Sequence, residues 1–233
     1  AADLPVFLPG AREIALPAWD CLPYDRSSPN REIVSERMRG FRALAALAET
    51  APDDGPVVVA TTVNALLQRT PPTAALTAAV DLAPGGRFDE AAFQAFVSVN
   101  GYVRADTVME PGEYAIRGSI VDVYPAGAET PARIDLFGDE IEAIRAFDPL
   151  TQRSEGAIAR LTLAPASEAP LDKAAIERFR AGYGATFGGE ALKDPLYESV
   201  SSGRRHPGME HWLPLFHETM ATVFDLLPDD AVL

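Results

Sequence analysis

Cysteine is almost absent from this chain of 233 residues. Cys21 stands alone, so no disulfide can form within the chain, and a reducing cytoplasm suits it. A lone cysteine reads first as a buried small hydrophobe. Histidine is nearly as scarce: His206, His211 and His217 are the only three. His211 and His217 stand six apart, which does not put two ligands on one helix face, and one distant cysteine does not complete a metal site. They read as surface or capping residues. No apolar run approaches the roughly 20 residues a membrane span needs, so no membrane contact is expected. Residues Ala1–Gly10 show no basic stretch followed by an apolar one, so no signal peptide is visible, and the start at Ala rather than Met fits a piece cut from a longer chain.

Lysine is the third shortage. Lys173 and Lys193 are the only two, and the remaining cationic residues are arginine. A GC-rich genome is the bland explanation, but its consequence is chemical: cationic contacts will be planar forks that suit carboxylates. The net charge of −14 opposes bulk attraction to DNA. With 47% apolar residues, a buried core is expected rather than disorder.

Catalytic signatures are missing too. There is no G-x-x-x-x-G-K-[ST] loop for nucleotide phosphates, and Gly85-Gly86 reads as a turn. No G-x-S-x-G elbow accompanies a Ser/His/Asp order. Asp139-Glu140 would point to opposite strand faces, so they form no converging dyad, and Asp229-Asp230 carries no better case. No catalysis, cofactor or metal is expected from this chain alone.

What is present is a layered pattern. The Pro-punctuated opening suits short strands and loops. Ser27, Ser28 and Asn30 offer caps for a helix whose stripe is Ile33, Val34, Met38, Phe41, Ala45 and Ala48. Pro52–Pro56 breaks it. Val57–Ala60 then reads as a central parallel strand covered on both faces, followed by a short helix over Val63–Arg69. Asp89 caps a helix ended by Gly101. From Tyr102 to Phe147 the period becomes two, predicting strands at Tyr114–Ile116, Ser119–Tyr124, Ala132–Phe137 and Glu140–Phe147 in an antiparallel arrangement. Beyond these, Ile158–Leu163 reads as a strand and Asp172 caps a helix that Gly182–Gly189 interrupts. Asp194–Ser201 reads as a helix, Gly203–Pro207 as a basic loop, and Asp225–Leu233 as a return to strand.

One strand stands out. In Ala132–Phe137, alternation sends Ala132, Ile134 and Leu136 to the core and leaves Arg133, Asp135 and Phe137 outside. A phenylalanine and an arginine together on the polar face are typical anchors of a protein interface. The bland alternatives are a Phe137 tucked under a loop and a solvated Arg133–Asp135 pair. The facing of Arg117 stays open. Ile116, Ile120 and Tyr124 share one parity, Val121 and Val123 share that of Arg117, and a bulge at Gly118 would reset the register.

Glu110–Pro125 followed by Arg133–Ile141 resembles the domain 2 motif of the family that unites the excision-repair protein UvrB and the transcription-repair coupling factors. Leu22–Pro29 with the helix after it, Gly208–Trp212 and Leu226–Asp230 are similar to the same family, in order along nearly the whole chain. Within the family the chain looks like the coupling-factor branch. Only eight residues separate Tyr24 from Ile33, too few for the long DNA-clamping β-hairpin of UvrB. Leu136 departs from the family pattern at a position expected to face the core.

The resemblance implies an α/β fold: a degenerate RecA-like parallel-sheet domain interrupted by a smaller α+β domain 2 with an antiparallel sheet. Its boundaries would be residues 1–75 for domain 1a, 76–153 for domain 2 and 154–233 for domain 1b. It implies a non-catalytic region in which Arg117, Arg133 and Phe137 bind UvrA, recruiting it to stalled transcription for nucleotide excision repair. It further implies masking by the C-terminal region of an intact protein, whose other regions engage RNA polymerase and DNA. The competing reading is a UvrB-like fragment that binds damaged DNA or hydrolyses ATP, with Arg204, Arg205 and His206 as a small phosphate contact. A third is a purely structural domain.

Overall fold

The structure, a computed structural model, describes residues 8–49 and 55–232. The opening Ala1–Phe7, the Pro52–Asp54 part of the expected break, Leu233 and the side chain of Ala48 lie outside the described residues.

A βαβ unit comes first: β1 (Arg12–Leu16), α1 (Arg31–Glu49) and β2 (Val57–Thr61). Helix α1 starts where predicted, because Asn30 Oδ1 accepts a hydrogen bond from Glu32 N at 2.8 Å. Its stripe buries Met38, Phe41, Leu44 and Ala45. Met38, Phe41 and Leu44 pack with Ile14, Leu16, Leu76, Val223 and Leu226. Each such side chain contributes about 1.5–3 kcal/mol by leaving water. Gly40 lets the strand approach closely, since a Cβ there would sit 2.6 Å from Ala15 O. Strands β1 and β2 run parallel, with Ile14 opposite Val59. Val57–Thr61 is half-buried along its length, not sealed on both faces as its apolar run predicts. The reason is that β1 is its only partner among the described residues. Residues 17–30 run between β1 and α1 without a strand.

After the short helices α2 (Val63–Leu67) and α3 (Thr73–Thr77), the chain enters a second layer through β3 (Val80–Leu82) and leaves it through β10 (Leu161–Leu163). These two strands pair antiparallel. Between them lie α4 (Glu90–Val99) and a six-stranded sheet in the order β4 (Val103–Arg104), β5 (Glu113–Arg117), β6 (Ile120–Val123), β7 (Ala132–Phe137), β8 (Glu140–Phe147) and β9 (Ser154–Ala157). Strand β9 carries the sheet past residue 153, and the strand expected over Ile158–Leu163 starts only at Leu161. Asp89 caps α4 through Ala92 N at 2.9 Å, and Gly101, with φ of +87°, closes it. Phe93 and Val97 of α4 pack on Val121, Val123, Ile134, Ile141 and Ile144 of the sheet. Period-two alternation therefore has one dry face and one open face.

The last third is helical. Asp172 caps α5 (Lys173–Phe187), accepting from Ala175 N at 2.8 Å. The helix runs through Gly182 and Gly184 rather than breaking there. Gly182 is small because it packs on Leu215, whose Cδ2 would lie 2.7 Å from a Cβ. Phe179 stacks on Phe216 with ring centroids 5.0 Å apart. Helix α6 (Pro195–Ser201) follows, with Asp194 capping Leu196 N at 2.9 Å. The strand expected over Asp225–Leu233 does not form in its described part. Thr222 and Asp225 instead build a capping box that starts a 3₁₀ turn, Val223–Leu226.

Within the basic loop Arg204 is exposed and Arg205 is held inside its own chain. Arg205 donates to Ser167 Oγ at 2.9 Å, Ala169 O at 2.8 Å and Val99 O at 3.1 Å. It ties α4 to the segment before α5, and burial pulls its pKa down to about 10. Cys21 is half-buried, with Sγ 3.9 Å from His211 Nε2, rather than enclosed in the core. Among the described residues no helix is long and apolar enough to cross a membrane.

Candidate protein-docking face

The open face of the six-stranded sheet is built by register. Gly118 and Ser119 make a two-residue turn between β5 and β6, with Gly118 at φ +62°, so Arg117 lies directly opposite Ile120. Ile120 in turn opposes Asp135, and Asp122 opposes Arg133. Opposed residues share a face. Arg117, Ile120, Asp122, Arg133, Asp135 and Phe137 therefore share the face turned away from α4, where Val108, Ala115 and Phe147 form a small buried cluster beneath them. Ile116 opposes Val121 and packs on the core instead. This settles Arg117 and corrects the expected parity that grouped Ile116 with Ile120. No bulge occurs at Gly118; register shifts lie between β7 and β8, after Asp135, and between β8 and β9, after Arg145. Leu136 packs on the core, as alternation predicts.

Phe137 is 80% exposed at the end of β7. It is not tucked under a loop. Arg133 is different: its side chain is only 16% exposed, and it is held within its own chain. Its Nε donates to Asp122 Oδ1 at 2.7 Å, Nη2 to Oδ2 at 3.0 Å and Nη1 to Gln152 O at 3.2 Å. Its guanidinium also lies 4.9 Å over the ring of the buried Phe147. The hydrogen bonds that Arg133 donates to Asp122 push its pKa above its ordinary value, outweighing burial. Arg117 reaches the same Asp122 carboxylate through Nη2, and its Nη1 donates to Asp106 O at 3.0 Å. Its side chain remains 45% exposed.

The Asp122 side chain has no exposed surface at all. Two guanidiniums thus converge on one buried carboxylate, and the three groups carry one net positive charge. Such charge-assisted forks fix geometry as well as charge. The Arg133–Asp135 pair considered from the sequence does not form; Asp135 accepts from Arg145 Nη1 at 2.6 Å instead. The face therefore offers a benzyl group, an accessible guanidinium and a second guanidinium behind it, with half-buried Ile120 between Arg117 and Asp135.

Sequence reasoning passed over Asp122 and Ile120. Asp122 had a signal: it is an acid between two valines, and it ends up directly opposite Arg133.

A family model described as UvrB interaction domain matches residues 80–168. That range holds the whole six-stranded sheet and its open face. Across 93% of its length the chain is 39% identical to the transcription-repair-coupling factor of Haemophilus influenzae. It is homologous to the transcription-repair-coupling factors. The Escherichia coli factor is 38% identical over 92% of the chain, and that of Myxococcus xanthus 33% identical over 98%. The chain spans 18%, 18% and 20% of these three relatives respectively, so it matches about a fifth of each coupling factor.

Proposed function

We propose that this chain is the non-catalytic UvrA-docking region of a transcription-repair coupling factor, and that the open face of its six-stranded sheet is the contact. The carrying observation is Phe137, 80% exposed on the same face as two arginines that share one buried carboxylate. An aromatic side chain beside forked cations is what an acidic, partly apolar partner surface would select. In this reading Arg117 contacts the partner directly, Phe137 fills an apolar contact, and Arg133 supports Arg117 from behind while adding charge. The parallel β1–β2 pair with α1 is read as part of a degenerate RecA-like domain into which the docking domain is inserted. Recruitment of UvrA to stalled RNA polymerase, masking of the face by the C-terminal region of the intact protein, engagement of DNA through other regions and a cytoplasmic setting belong to the same proposal.

Titration calorimetry of the chain against purified UvrA tests it. Arg117→Ala, Arg133→Ala and Phe137→Ala should each weaken binding at least tenfold while the far-UV spectrum stays unchanged. Wild-type affinity in all three variants would reject the reading.

A further inference from the structure

Arg117 and Arg133 sit on different strands, five and eleven residues in sequence from Asp122, yet both guanidiniums end on it. A solvated guanidinium on a long stem samples many rotamers, and ordering it on binding costs affinity. Here that ordering is already complete. Asp122 is fully buried and accepts three charged hydrogen bonds, and neighbouring Asp135 is occupied by Arg145. Two cations against one anion leave the cluster one carboxylate short. Arg117 Nε makes no hydrogen bond among the described residues.

Resting on the docking reading above, we infer that Asp122 is a positioning residue of the face: it holds both guanidiniums at a fixed spacing and leaves room for one carboxylate, supplied by an acidic side chain of the partner, to complete a two-arginine, two-carboxylate cluster. Asp122 itself does not touch the partner. The two guanidiniums stay on it when the complex forms, and the incoming carboxylate takes the free edge of Arg117.

The experiment is calorimetric titration of UvrA with wild type, Phe137→Ala, Arg117→Ala, Asp122→Asn and the Asp122→Asn/Arg117→Ala double variant, each first checked by thermal melting. Asp122→Asn should lose at least tenfold in affinity, and Arg117→Ala should cost markedly less in that background than in wild type. Wild-type affinity in Asp122→Asn, with Arg117→Ala and Phe137→Ala still weakened, overturns the inference and leaves the docking reading standing. Tighter binding by Asp122→Asn also overturns it, because Asp122 would then be a competitor. Wild-type affinity in every variant rejects the docking reading itself. Should Asp122→Asn fail to fold, wild-type protein still decides the matter. The Arg133 Nε–H proton, followed by nitrogen-15 NMR, should stay slow to exchange when UvrA is added; its release on binding overturns the inference.

Discussion

Arg37 Nε donates to Glu168 Oε1 at 2.7 Å, across 131 residues of sequence, with neither side chain reaching solvent. Arg37 Nη1 also donates to Pro17 O at 2.7 Å, and Trp19 Nε1 shares the same carboxylate oxygen at 2.9 Å. The pair bolts α1 to the segment that follows β10.

Breaking this bolt on one side should be costly. A buried charge left without its partner destabilises by about 3–5 kcal/mol. Arg37→Ala is expected to lower the stability of the chain by that amount in urea unfolding. A loss under 1 kcal/mol would show that water replaces the guanidinium freely.

Acidity should act through His217. This imidazole is buried, and its Nε2 donates to Glu168 O at 2.8 Å. Burial is the main reason its pKa lies below the ordinary 6.5, with Arg178 adding to the effect and Glu168 and Asp172 opposing it. Folding thus favours the neutral ring. Its contribution is complete above pH 6.5 and declines as pH falls through that value toward the lower folded pKa. Urea midpoints of the wild type should drop from pH 7.5 to pH 5 more steeply than those of His217→Gln. Parallel curves would assign the acid sensitivity to other groups.

A methyl group at Gly101 should be poorly tolerated. Its φ of +87° suits glycine, and an added Cβ would lie 2.4 Å from Ser167 Cβ and 3.1 Å from the Arg205 guanidinium. Strain and overpacking together are expected to cost roughly 2–4 kcal/mol. A melting temperature within 2 °C of wild type in Gly101→Ala, against the several degrees expected, would mean the Arg205 strut gives way without cost.

Much of the face that carries Arg117, Arg133 and Phe137 could be read from alternation, and the limits of that reading have physical causes. Arg133 and Phe137 were placed outward from one strand, where period two operates without interruption. Arg117 was not, because parity counted straight through Gly118-Ser119 is wrong: a two-residue turn sets residues three apart side by side. That Arg133 is a held group rather than a free one depends on Asp122 from the adjacent strand and Gln152 from a turn, which no single-strand pattern encodes. In helix α5 Gly182 is a packing residue and not a break, because Leu215, distant in sequence, occupies the space a side chain would need. The half-covered β2 likewise reflects its having β1 alone as a partner among the described residues, which its own pattern does not encode.

The pairing of β3 with β10 means the polypeptide enters and exits the sheet-bearing unit at one narrow neck. Leu82 faces Leu161 there across a single ladder. Such a neck sets the two ends of the unit side by side, so a graft of it into another chain needs only two neighbouring joints and the loss of lateral ties such as Arg205 to Val99 O and Gly127 N to Ser35 Oγ.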